Sequence, residues 1–119
     1  MGKILLAEDD HILRSMLVDS FEQFGHEVKA AENGEIAWDL WNSEDFDILV
    51  TDINMPKMNG ITLLKNIRDL NASFPVVIIT GVPLESAETQ AHEYGASAIL
   101  YKPFKMKALF DTINKLLID

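Results

Sequence analysis

The chain of 119 residues is long enough for one domain with a buried core and too short for two. Ten basic against nineteen acidic residues give a net charge of −9, which repels a phosphate backbone and argues against nucleic acid as a direct partner. The absence of cysteine excludes disulfides, thiolate metal centres and cysteine nucleophiles, and no apolar run has the length of a signal peptide or a membrane span. The expected setting is therefore the cytoplasm, with no membrane partner.

Lys3–Ala7 is short and largely apolar, as expected of a strand buried on both faces. Glu8-Asp9-Asp10 follows, and Asp10 stands where a helix cap belongs. Leu13, Met16, Leu17, Phe21 and Phe24 keep helical spacing until Gly25 stops it. Glu27–Ala30 is more polar and reads as an edge strand. After Asn33-Gly34, the residues Ile36, Ala37, Leu40 and Trp41 mark a second helix, with Trp38 off its stripe and expected at the surface. Asp47–Thr51 predicts a third strand, and Asp52 closes that apolar run. A loop, Ile53-Asn54-Met55-Pro56-Lys57-Met58-Asn59-Gly60, leads into a helix carrying Ile61, Leu64 and Ile67. Val76–Thr80 is the fourth strand, and Leu84–Tyr94 a weakly amphipathic helix ended by Gly95. Ser97–Tyr101 is the fifth strand. Met106, Leu109, Phe110, Ile113, Leu116 and Leu117 form the clearest stripe of all. Such alternation predicts an α/β fold: a five-stranded parallel sheet between five helices, with right-handed crossovers, in one domain over residues 1–119.

In an open α/β sheet, ligands sit beyond the carboxyl ends of the strands. Four strand ends here carry polar groups: Glu8-Asp9-Asp10, Asp52, Thr80 and Lys102. Crowded carboxylates repel one another unless a cation lies among them, and an oxygen-only donor set suits a hard divalent ion, most commonly Mg2+. Taken alone, the acidic triplet reads more readily as a helix cap, and Asp52 at a second strand end reverses that preference. Asp52 has three readings: a turn-forming residue, a metal ligand, or a carboxylate nucleophile for phosphoryl transfer. Phosphoryl transfer needs alignment and charge neutralisation. Thr80 offers a hydroxyl, Gly81 leaves room beside it, and Lys102 brings a point charge whose direction Pro103 restricts. His11, His26 and His92 show no ligand spacing and are expected at the surface, while Met55 and Met58 are expected to pack the loop.

These residues carry a resemblance. The runs Ile4-Leu5-Leu6-Ala7-Glu8-Asp9-Asp10, Asp52 with Met55-Pro56 and Met58-Asn59-Gly60, Thr80-Gly81, and Tyr101-Lys102-Pro103-Phe104 resemble, in order and spacing, a response-regulator receiver domain of two-component signalling. The resemblance implies a flavodoxin-like doubly wound sheet of order 2-1-3-4-5. It also implies that Asp52 accepts a phosphoryl group from a histidine kinase or phosphotransfer protein. Glu8 and Asp9 match the family's acidic pair, and Mg2+ would be held by Asp9, Asp52 and the Asn54 carbonyl. Thr80 and Lys102 would bind the phosphoryl oxygens. Asn54 and Val82 occupy the positions that tune dephosphorylation. The expected product is a switch of the helix 4–strand 5–helix 5 surface, read by a downstream partner or output domain. The protein would be a monomer or a phosphorylation-promoted dimer, with no enzymatic activity beyond self-phosphorylation and autodephosphorylation. One departure stands out: Ile99 replaces the family's usual aromatic, three residues before Lys102, and Tyr101 on the same strand face is its candidate substitute.

Three other readings fit parts of this pattern. A haloacid-dehalogenase-type phosphatase needs a second acid two residues after the nucleophile, where this chain has Asn54. A flavodoxin-like cofactor site needs a Gly-, Ser- and Thr-rich first loop, whereas Glu8-Asp9-Asp10 repels phosphate. A receiver-like module that signals without phosphate is separated only by a phosphorylation assay.

Overall fold

The computed structural model describes residues 2–81 and 85–117, so Val82 and Leu84, singled out above, lie outside the described residues. Strands and helices alternate: β1 (Lys3–Ala7), α1 (His11–Gln23), β2 (Glu27–Ala31), α2 (Gly34–Ser43), β3 (Ile48–Asp52), α3 (Gly60–Leu70), β4 (Val76–Thr80), α4 (Glu85–Glu93), β5 (Ala98–Tyr101) and α5 (Met106–Leu117). All strand pairs are parallel, in the order β2-β1-β3-β4-β5. The expected sheet and its order are both found.

Alternate strand residues supply two separate cores. Ile4, Leu6, Ile48, Val50, Val77 and Ile79 face α1 and α5, meeting Leu17, Phe21, Leu109 and Ile113. Leu5, Ala7, Leu49, Val76 and Ile78 lie under α2, α3 and α4, against Ala37, Leu64, Ile67, Ala87 and Ala91. A strand that serves both faces has no polar side to alternate with, which is why the central strands are apolar throughout. β2 pairs with β1 alone and is the polar edge strand expected of it.

Three helices start on side-chain caps. Asp10 accepts from the amides of Ile12 and Leu13, Asn33 from Ile36, and Asn59 from Thr62, each cap contributing about 1 kcal/mol. Gly25 and Gly95 follow α1 and α4 in the left-handed conformation, at φ 86° and 76°.

Several expectations need correction. β3 runs one residue later than Asp47–Thr51; Asp47 is held to Lys3 by its amide on the Lys3 carbonyl at 2.9 Å and by its carboxylate on the Lys3 amide at 2.7 Å. Asp52 is therefore the last residue of the strand itself. Met16 and Phe24 share the helical spacing of Leu13, Leu17 and Phe21 but are 49% and 59% exposed; Phe24 lies just past the helix, its ring 4.1 Å from that of Phe110. Trp38 is half-buried, stacked on Trp41 with ring centroids 5.7 Å apart, and Trp41 meets Phe74 edge-on. His26 is buried, and its Nδ1 accepts the Gly2 amide at 3.1 Å. Burial pushes its pKa down. Leu63 joins Ile61, Leu64 and Ile67 in the buried face of α3. Met55 is buried and Met58 packs against the same core, as expected.

Candidate functional site

Because all strands run the same way, the carboxyl ends of β1, β3, β4 and β5 share one sheet edge. The register sets Ala7 beside Thr51, Asp52 beside Ile79, and Thr80 beside Tyr101. Glu8 and Lys102 each follow their strand by one residue, so the polar groups separated along the chain converge.

Lys102 is the centre of this group. Its Nζ donates to Glu8 Oε1 at 2.9 Å and to Asp52 Oδ2 at 3.0 Å. Its own amide donates to the Thr80 carbonyl at 2.6 Å, and the bond to Pro103 is cis. Burial alone would lower the Lys102 pKa, but hydrogen bonds and charge from Glu8 and Asp52 outweigh it, and the pKa rises. Glu8 is fully buried, and its second oxygen accepts the Asp10 amide at 3.1 Å. Burial raises the Glu8 pKa, against the lowering effect of Lys102 and that amide. Asp52 is 6% exposed; Oδ1 accepts the Ile53 amide at 2.7 Å, leaving Oδ2 on the ammonium. Thr80 is buried at the end of β4. Among the described residues a Cβ added to Gly81 meets only Lys102 Cδ, at 3.8 Å, which leaves the room expected beside Thr80.

Glu8, Asp9 and Asp52 each offer a carboxylate oxygen within 4.8 Å of the others. These donors are all oxygen, and Asp9 is exposed, which gives a cation a route in. The group therefore fits a hard divalent ion. Asn54 follows Asp52 on the exposed loop. The floor beneath is tight: Gly60 closes on the Asp52 carbonyl and Gly34 on that of Met58, where a Cβ would lie 2.0 and 2.1 Å away. His11 is near the acids in sequence, whereas His26 and His92 are elsewhere. Arg14 joins the site although no motif marks it: its Nη1 donates to the Glu8 carbonyl at 2.8 Å and reaches that of Asp9 at 3.4 Å. Its signal was a cation in the first turn of a helix, where the dipole disfavours one.

Ile99 is partly buried and packs with the core on the α2–α4 side. Tyr101 is exposed on the same strand face, and its hydroxyl pKa is raised first by a hydrogen bond to Glu88 of α4, then by burial and the Glu88 charge.

A doubly wound parallel sheet with buried acids and a lysine at its carboxyl edge defines a class of small α/β proteins whose sites lie at strand ends. Within it, the family profile described as response regulator receiver domain matches residues 4–114, and the chain belongs to that family. It is 35% identical over 118 residues to the response regulator receiver protein CpdR of Brucella abortus, covering 99% of this chain and 98% of that protein. It is 38% identical to the transcriptional regulatory protein CpxR of Escherichia coli, over 98% of this chain but 50% of CpxR. The receiver domain of Francisella response regulator 1452 superposes with a TM-score of 0.90 at 31% identity, over 98% of this chain and 97% of that one. The protein is thus a phosphorelay signalling domain of the two-component type rather than an enzyme acting on outside substrates. No helix among the described residues is long and apolar enough to cross a membrane.

Proposed function

We propose that residues 1–119 act as one receiver unit in which Asp52 accepts a phosphoryl group from a phosphohistidine on a histidine kinase or phosphotransfer protein. A carboxylate oxygen of Asp52 attacks phosphorus as the phosphorus–nitrogen bond breaks, and the departing imidazole takes up a proton. Mg2+, held by Asp9, Asp52 and the Asn54 carbonyl with Glu8 behind them, supplies charge neutralisation for the transferred group. Lys102 and Thr80 hold the phosphoryl oxygens. The observation that carries this reading is the Lys102 ammonium bridging Glu8 and Asp52 at the sheet edge.

The signal leaves through β5. Thr80 stands beside Tyr101 in the β4–β5 ladder, and Tyr101 meets Glu88 of α4. Movement of Thr80 and Lys102 toward the phosphoryl group therefore reshapes the α4–β5–α5 surface for a cytoplasmic partner or output domain, by population shift. The unit works as a monomer or as a dimer that phosphorylation promotes.

The test is incubation with Mg2+ and acetyl phosphate, followed by intact mass. One acid-labile phosphoryl adduct is expected, and none on Asp52→Asn. An unmodified wild-type chain, or an adduct on the variant, refutes the proposal.

A further inference from the structure

Arg14 lies in the first turn of α1, and among the described residues no carboxylate forms an ion pair with it. Its guanidinium is directed at main chain instead. Nη1 donates to the Glu8 carbonyl at 2.8 Å and reaches the Asp9 carbonyl at 3.4 Å. Nη2 lies 3.2 Å from His11 Nδ1, and because arginine only donates, that nitrogen accepts. The two carbonyls belong to the peptide planes on either side of Asp9. The plane that follows Asp9 is held a second time, by the Asp10 amide on Glu8 Oε2 at 3.1 Å. Asp9 is thus an exposed carboxylate on a backbone clamped at both flanks.

We propose that Arg14 is a positioning residue for divalent-cation binding, its fork fixing the peptide planes that flank Asp9 and so aiming that carboxylate toward Asp52. This rests on the reading of Glu8, Asp9 and Asp52 as a Mg2+ site. Arg14 touches neither the cation nor the reacting atoms. It acts through Asp9, as residues that orient metal ligands do, and losing such a residue weakens metal affinity by about 10- to 100-fold.

Charge and geometry make opposite predictions here. By charge alone, removing a cation from the loop that carries Glu8 and Asp9 tightens Mg2+ binding. By positioning, it loosens binding. Lysine keeps the charge but lacks the planar fork. The experiment is an amide-resolved NMR titration with Mg2+ of the wild type, Arg14→Gln and Arg14→Lys. Amide exchange at Asp10 in EDTA is followed in parallel, at a temperature where thermal melts show all three folded. The expected result is a Kd raised about 10-fold or more in Arg14→Gln and raised by a smaller factor in Arg14→Lys, with faster Asp10 exchange in both. Variants whose Kd stays within about two-fold of wild type, or falls, overturn the role of Arg14 alone. A wild type that binds no Mg2+ overturns the metal-site reading beneath it.

Discussion

Gly60 is where the fold presses hardest on the site. A Cβ placed there lies 2.0 Å from the Asp52 carbonyl oxygen, 2.9 Å from its carbon and 3.1 Å from Ile53 Cα. Every one of these neighbours is backbone, so no side chain can swing aside. The shortfall from ordinary contact at 3.4 Å is about 1.4 Å, far more than a close-packed interior absorbs. Nor can α3 retreat, because the Gly60 amide donates to the Ile53 carbonyl at 2.9 Å and Asn59 caps the same turn. Gly60→Ala is therefore expected to destabilise the protein by about 3 kcal/mol, at the upper end for overpacking. In a chain of this size that lowers Tm by about 10 °C or more. The Asp52 backbone is the part that yields, and misplacing a reacting group by about 1 Å slows transfer roughly 100-fold. Melting followed by circular dichroism, with acetyl phosphate labelling at a temperature where the variant is folded, measures both effects. Gly81→Ala is the control, since among the described residues its Cβ meets only Lys102 Cδ, at 3.8 Å, and should leave Tm almost unchanged. A Gly60→Ala protein that melts within about 2 °C of wild type refutes the reasoning.

Two further outcomes follow from the charges. Replacing Lys102 by Met strands the fully buried Glu8 beside Asp52; with the lysine side chain 24% exposed, the loss should be about 2–4 kcal/mol in urea unfolding with EDTA present, while Mg2+ binds more tightly because its competitor is gone. Unchanged stability together with weaker Mg2+ binding would contradict both halves. His26 has a folded pKa below its unfolded value, so the unfolded chain takes up the proton first; stability is full above the unfolded pKa of about 6.5 and is lost as pH falls through the folded pKa. Melting the wild type and His26→Gln at about pH 7.5 and 5.5 should show the larger acid loss in the wild type, and equal losses would exclude His26 as the cause.

Much of the fold was legible because burial on both faces leaves a strong mark: Ile4, Leu5 and Leu6 alternate between two cores, so no polar residue interrupts them. The carboxyl-edge groups were legible for a related reason, since Glu8, Asp52 and Thr80 are polar residues where a buried strand runs out. Other positions depend on partners distant in sequence. His26 is polar by type, yet the Gly2 amide satisfies it and allows it inside. Phe24 keeps helical spacing but falls beyond the helix, where Phe110 of α5 decides its place. Arg14 is marked by no motif because its partners are main-chain carbonyls, which leave no trace in the pattern of side chains.

The ammonium between Glu8 and Asp52 also sets a ledger of charge. With all three carboxylates charged, the one ammonium ion-paired to them among the described residues leaves two negative charges over, the Arg14 guanidinium being engaged with main-chain carbonyls instead. A divalent cation cancels that remainder, whereas a monovalent one leaves half of it. The corner thus suits a divalent ion by valence as well as by the spacing of its oxygens. Lys102 bridges Glu8 and Asp52 in this arrangement; under the proposed phosphorylation of Asp52 it would be free to change partners only because a bound cation would then screen the two acids from one another.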